Sequence, residues 1–166
     1  MSSVEIPVRV CVALVSQGEV CLIHRSRGSG RLDQYSLPGG LVEPGEDVAA
    51  ALVRELMEEL DLDITSVGTP VLRWRQRQAT TRPGSDTLFR REHLIHVLEV
   101  PDQLRVHIAP CEQDATDTTA VVWIPLNALA ALHLYPDAGP ALASYDSPLH
   151  AVIDLNPMGD DNYNWR

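Results

Sequence analysis

The sequence predicts an α/β fold with a mixed sheet, on three observations. Apolar runs rich in β-branched residues recur from Val8 to Trp123. One stretch among them, 48–60, instead repeats its apolar residues at helical spacing. Strand-like runs lie on both sides of that helix, so strands precede and follow it in the chain.

The elements follow in order. VRVCVALV (8–15) reads as a strand, a turn at Gly18 reverses the chain, and VCLIHR (20–25) reads as the returning arm of a hairpin. A glycine loop at 28–30 leads to a short strand, 35–37, which enters Pro38-Gly39-Gly40. Val48, Leu52, Leu56 and Leu60 form one stripe of the helix, and Asp47 is placed to cap its N-terminus. Further strands are expected at 70–78, 87–100, 104–109 and 120–124, and a second helix at LNALAAL, 126–132. From Pro136 the chain is rich in Pro, Gly and Asp. It is expected to wrap the surface, with an extra strand at 151–155. The length of 166 residues suggests one domain over 1–166, with a core over about 5–135 and a C-terminal extension over 136–166.

Composition excludes several classes. A net charge of −10 argues against general nucleic-acid binding. No run approaches the roughly 20 apolar residues of a membrane span. Glu5, Pro7 and Arg9 break any secretory pattern, so a cytoplasmic location is expected. Cys11, Cys21 and Cys111 lack metal or redox spacing and read as buried thiols.

The charge is unevenly placed. All thirteen basic residues are Arg, and six of them fall in 73–91 against the one acid Asp86. On a regular strand, Arg73, Arg75 and Arg77 would share one face, with Trp74 turned to the core. Such a face suits phosphate recognition or a subunit contact, and a plain solvated face accounts for it equally well. Arg25, Arg27 and Arg31 flank the glycine loop and are further candidates for a phosphate.

At about 100° per residue, Glu55, Glu58 and Glu59 occupy an arc of only about 100°, away from the apolar stripe. On an open surface such like-charge pairs cost only about 0.2–0.5 kcal/mol each. In a cleft, two carboxylates about 5 Å apart repel by roughly 3 kcal/mol at an effective dielectric near 20. That arrangement calls for a cation, and hard oxygen donors favour Mg²⁺ or Mn²⁺.

The whole segment has a further pattern. Gly40, Glu46 and the run Arg54-Glu55-Leu56-Met57-Glu58-Glu59-Leu60-Asp61-Leu62 match G-x5-E-x7-R-E-U-x-E-E-x-G-U, where U is aliphatic. This resembles the signature of the Nudix hydrolases. Asp61 alone departs from it, standing where the family has Gly. The resemblance implies the Nudix fold, a mixed sheet sandwiched between helices (α/β/α). It implies metal-dependent hydrolysis of a nucleoside diphosphate linked to another group, of the nucleoside triphosphate or nucleotide sugar type. It makes Glu55, Glu58, Glu59 and the Gly39 carbonyl the metal ligands. Glu58, Glu59, Arg54 and Glu46 become the catalytic set, with Arg54 and Glu46 bracing the others. Glu112, Asp114 and Asp117 are candidates for a loop base or extra ligand. Family members are often dimers, so a homodimer is among the expectations.

The substrate is not fixed by these residues. Subclass markers for ADP-ribose (Pro) and dinucleoside polyphosphates (Tyr) are absent around Arg77-Gln78-Ala79, and "LIHRS" (22–26) is only faintly like the coenzyme A pattern. Base stacking would draw on Trp74, Tyr35, Phe89 or Trp123. His93 and His96, three apart, do not share a strand face and are not a paired metal site. Two other readings stand beside hydrolysis: a Nudix-fold nucleotide-binding or sensing module, and a prenyl diphosphate isomerase using Cys111 and Glu112.

Overall fold

The computed structural model describes residues 4–26, 33–111, 118–147 and 151–164. Its strands are β1 (Val8–Ser16), β2 (Glu19–Arg25), β3 (Gln34–Ser36), β4 (Gly39–Leu41), β5 (Val71–Thr81), β6 (Leu88–Glu99), β7 (Thr119–Pro125), β8 (Leu134–Tyr135), β9 (Ile153–Asp154) and β10 (Met158–Gly159). The helices are α1 (Val48–Leu60) and α2 (Gly139–Ala143). The sheet runs β10-β5-β6-β1-β2-β3-β8, with β4 added to β1, β7 to β2 and β9 to β5. β1 and β6 are parallel in register from Val8↔Glu92 to Val15↔Glu99, whereas β5 and β6 are antiparallel. The sheet is mixed, as expected.

β1 is apolar at nearly every position because it is covered on both faces. Val10, Val12 and Leu14 pack against Ala51, Leu52, Leu56 and Leu60 of α1. Cys11, Ala13 and Val15 face the other way, onto Leu129, Leu134 and Leu142. The fold is therefore a sheet between two helical layers, the α/β/α sandwich expected from the sequence.

Both ends of α1 match local sequence chemistry. Asp47 Oδ1 accepts from the Ala50 amide at 2.7 Å. Asp61 takes the left-handed conformation (φ 52°, ψ 38°), its amide donates to Met57 O, and Leu62 N donates to Leu56 O. The Asp61–Met57 bond is the left-handed C-terminal closure usually made by Gly, and Asp tolerates the conformation at about 1–2 kcal/mol.

Four expectations are corrected. Residues 104–109 are not a strand: Asp102–His107 forms a 3₁₀ turn opened by Pro101, with Arg105 paired to Asp102 at 2.9 Å. The segment instead lies against the end of α1, where the Ala109 amide donates to Leu60 O at 2.9 Å and Ile108 is buried. Leu126–Ala131 is likewise 3₁₀, following Pro125. Cys111 is exposed, while Cys11 and Cys21 are buried. Finally, β5 carries an irregularity between Leu72 and Trp74. One extra residue there turns Arg73 inward beside Trp74, leaving Arg75 and Arg77 on the outer face. Arg73, Arg75 and Arg77 thus do not form one row.

β4 is held to β1 by the register Arg9↔Leu41, Val10↔Gly40 and Cys11↔Gly39. Gly39 has φ +153°, and a Cβ on it would lie 2.0 Å from Val10 O and 2.6 Å from Cys11 Cα. Neither backbone atom can yield. Gly39→Ala is expected to cost about 3 kcal/mol, from strain and overpacking together. Urea denaturation should show a lower midpoint at unchanged slope; a wild-type midpoint would refute the close approach.

Candidate active site

Loop 39–46 and α1 meet at Arg54. Its Nε donates to Glu46 Oε1 at 2.8 Å and its Nη2 to Glu46 Oε2 at 2.9 Å, a two-pronged pair. Nη2 also donates to Leu41 O at 2.9 Å. Nη1 donates to Glu55 Oε1 at 2.7 Å and to Glu58 Oε2 at 3.3 Å. One guanidinium thus gathers three carboxylates and fixes the loop over the helix. Glu46 also accepts from the Glu43 amide at 3.0 Å. Glu59 is buried, and its Oε2 accepts from the Gly39 amide at 2.8 Å.

The carboxylates differ electrostatically. Hydrogen bonds from Arg54, then from the Glu43 amide, hold Glu46 down to about 2. Glu55 is raised, because burial outweighs the hydrogen bond and charge of Arg54, and the like charge of Glu58 adds to burial. Arg54 is raised by its bond to Glu46 and stays cationic.

Beside this cluster lies a cavity of about 310 Å³, bounded on one side by Gly39, Gly40 and Glu59. Arg9, Arg25, Arg82 and Arg91 contribute cationic lining, and Gln34, Phe89 and Tyr135 complete its polar and aromatic walls. Arg82 and Arg91 each lie 3.9 Å from the Phe89 ring centroid. Arg9 donates to Leu37 O at 3.1 Å, contacts Gly39 O at 3.5 Å and lies 5.1 Å from the Tyr135 ring centroid. Behind the wall, Gln78 Oε1 accepts from Tyr135 Oη at 2.9 Å and faces His93 Nε2 at 2.8 Å. Burial, aided by Arg9 and Arg91, drives His93 down to about 2. His93 is therefore neutral, and its Nε2–H donates to Gln78.

The residues expected from the sequence divide into three groups. Gly39, Glu46, Arg54, Glu55, Glu58 and Glu59 are brought together, and Arg25 joins the cavity wall. Arg73, Arg75 and Arg77 do not line this cavity. Arg73 donates to Ala151 O at 2.7 Å, and Arg75 pairs with Asp154 at 3.1 Å. Arg75 and Arg77 border a separate hollow with Leu155 and Pro157. Arg27, Arg31, Glu112, Asp114 and Asp117 lie outside the described residues. Of the aromatic candidates, Phe89 lines the cavity, while Tyr35 stacks on His24, Trp74 is buried and Trp123 lies under Arg105. Arg9, Gln34, Ser36, Arg82, Arg91 and Tyr135 were not singled out as site residues. The available signal was Arg9 interrupting an apolar strand, and Arg82 with Arg91 bracketing the β5–β6 hairpin.

Comparison with known proteins bears on the family and the fold. A model of the NUDIX domain matches residues 5–145. A Mycobacterium tuberculosis protein named "Putative 8-oxo-dGTP diphosphatase 2" is 34% identical over 118 residues, which is 71% of this chain and 75% of that protein. Among solved structures, the E. coli ORF135 protein superposes with a TM-score of 0.53 at 27% identity, covering 84% of this chain and 88% of that one. A MutT NUDIX hydrolase from Burkholderia pseudomallei gives 0.61 at 20% identity, covering 86% and 99%, and bears on the fold alone. The chain belongs to the Nudix family and is a Nudix pyrophosphohydrolase.

Proposed function

We propose that this chain hydrolyses the pyrophosphate linkage of a nucleoside triphosphate by attack of water on phosphorus, with Mg²⁺ or Mn²⁺ as cofactor. The observation that carries this reading is the arginine-walled cavity bounded by Glu59 and Gly40, with the Arg54-bound Glu55 packed against Gly40. The name borne by the M. tuberculosis relative supports a triphosphate over a nucleotide sugar.

A divalent cation suits the residues present. Among the described residues, no three His, Cys, Asp or Glu side chains are gathered as a ready-made metal cage. The donors are nevertheless all hard oxygens, from Glu55, Glu58, Glu59 and the Gly39 carbonyl. The backbone also leaves room for them: a Cβ on Gly40 would lie 2.2 Å from Glu55 Oε1 and 2.5 Å from Oε2. Only Gly at 40 lets that carboxylate rest against the loop. When bound, the ion supplies Lewis-acid polarisation of a phosphoryl oxygen and lowers the pKa of a coordinated water.

The chain's own residues do the rest. Arg9, Arg25, Arg82 and Arg91 hold the negative phosphate chain and keep it in register with the glutamates. Arg54 and Glu46 keep α1 and the loop at fixed separation. Glu58, the most exposed of the three helix acids, takes the proton of the attacking water. The new P–O bond forms as the bridging P–O bond breaks, and that electron pair leaves on the departing phosphate.

Three outcomes are expected. A phosphate-release screen over nucleoside triphosphates with Mg²⁺ or Mn²⁺, with an EDTA control, should show turnover; Glu58→Gln should lower it by about 10²–10⁴-fold with the fold intact. Silence of the wild type across the panel would favour the binding-module reading. Gly40→Ala should weaken Mg²⁺ binding at least tenfold by calorimetry while changing stability little, since the atom displaced is the end of a flexible side chain. An unaltered Mg²⁺ affinity would refute the role given to Gly40.

The third outcome concerns pH. The folded-state value of Glu55 is raised. Its contribution to stability is complete below the usual carboxyl range and is lost as pH rises through the elevated value. A bound cation offsets that loss. Mg²⁺ should raise the melting temperature more at pH 8, where a hundredfold excess over Kd is worth about 2.7 kcal/mol, than at pH 5 at the same concentration. In Glu55→Gln most of that shift should vanish. An equal shift at both pH values would contradict the assignment.

A further inference from the structure

The chain from Ala151 onward lies beyond the residues matched by the NUDIX model, yet it is bound closely to the catalytic domain. β9 and β10 pair in parallel with β5 through Trp74↔Ile153, Arg75↔Asp154, Met158↔Gln78 and Gly159↔Ala79. Arg73 holds Ala151 O, Arg75 holds Asp154, and Gln76 Nε2 donates to Asn156 O at 3.0 Å. The basic strip of β5 is thus engaged with the tail. Met158 and Tyr163 are buried, so this segment is packed, not merely draped.

Two contacts lead from it to the cavity. The Tyr163 ring stacks on His133 at 4.9 Å and lies 6.1 Å from Tyr135, and its hydroxyl accepts from Gln34 Nε2 at 3.4 Å. Gln34 and Tyr135 are cavity walls. Asp160 accepts from both the amide and the hydroxyl of Thr81, each at 2.8 Å. Thr81 is the last residue of β5, and the next residue, Arg82, lies over Phe89 in the cavity.

We propose that the C-terminal segment is part of the active site, with Tyr163 and Asp160 as positioning residues: Tyr163 sets Gln34 and Tyr135, and Asp160 fixes the strand end that carries Arg82. The proposal rests on the reading of this cavity as the nucleotide site. The contacts of both residues lead to Gln34, Tyr135 and the strand end before Arg82, all at the cavity wall, so the effect falls on substrate affinity more than on the chemical step.

Steady-state kinetics with dGTP and 8-oxo-dGTP in Mg²⁺ would test this, together with amide hydrogen exchange on the full chain. Asp160→Ala and Tyr163→Ala should each raise KM about fivefold, the loss of roughly one net hydrogen bond, with kcat within twofold. Asp160→Asn, which keeps an acceptor for the Thr81 amide, should recover most of the wild-type KM, whereas Tyr163→Phe, which keeps the stack but loses the acceptor for Gln34, should retain most of the rise. Exchange should quicken at 81–91 in Asp160→Ala and at 34–36 in Tyr163→Ala, with α1 unchanged. Unaltered KM and exchange would overturn the proposal. So would a fall in kcat with faster exchange throughout α1, which marks general destabilisation. If the wild type hydrolyses neither nucleotide, the functional reading fails on its own, and exchange, which needs no turnover, still decides the positioning.

Discussion

The five hydrogen bonds of the Arg54 guanidinium are the constraint on which the rest of the site depends. They reach Glu46, Glu55, Glu58 and the carbonyl of Leu41. Three carboxylates on one short stretch of chain would otherwise spread into solvent, since nothing in a helix compels like charges to stay together. Arg is needed here because its planar fork offers several donors in fixed directions, whereas an ammonium would act as one point charge. The guanidinium is partly exposed, so it is the two-pronged geometry and the shared network, more than burial, that set these pairs apart from isolated surface ion pairs.

That tie would be idle if the helix and loop were free to separate from the sheet. Leu52, Leu56 and Leu60 seat α1 on the β1 face formed by Val10, Val12 and Leu14. Cys11, between Val10 and Val12 on the same strand, pairs with Gly39, whose amide donates to Glu59. A single strand therefore sets both the height of the helix and the position of the loop. The chemistry-bearing residues of α1 lie beside the ones that bury it, so packing and catalysis share one element and cannot be tuned apart.

This sharing explains what could be read from the sequence. The helix was legible because its period and N-cap are local signals, while its end at 61 was marked only by the family pattern, with Asp where that pattern has Gly. The glutamates, Arg54 and Gly39 were legible because they lie within one contiguous segment. The cavity walls were not. Arg9, Gln34, Arg82, Arg91 and Tyr135 come from five separate places in the chain, and only the sheet order β5-β6-β1-β2-β3-β8 brings them together. Strand alternation also misled at Arg73, because a bulge adds one residue without altering the composition of the run. At 102–107, an apparent alternation was a 3₁₀ turn fixed by Pro101 and the Asp102–Arg105 pair.

The same Arg54 also separates two glutamates into different roles. Glu46 receives both prongs of the fork and a backbone amide, and is held down to about 2. Its charge is fully matched, so it remains an anion across the working range and acts as a brace. Glu55 receives one hydrogen bond from the same guanidinium, but burial and Glu58 push it the other way. Environments that drive like groups apart are a guide to function, because the strained member is the one whose cost a ligand can relieve. Glu46 has nothing to gain from a cation and Glu55 has much. On that ground Glu55, not the better-paired Glu46, is the carboxylate we propose draws a cation to this loop and helix.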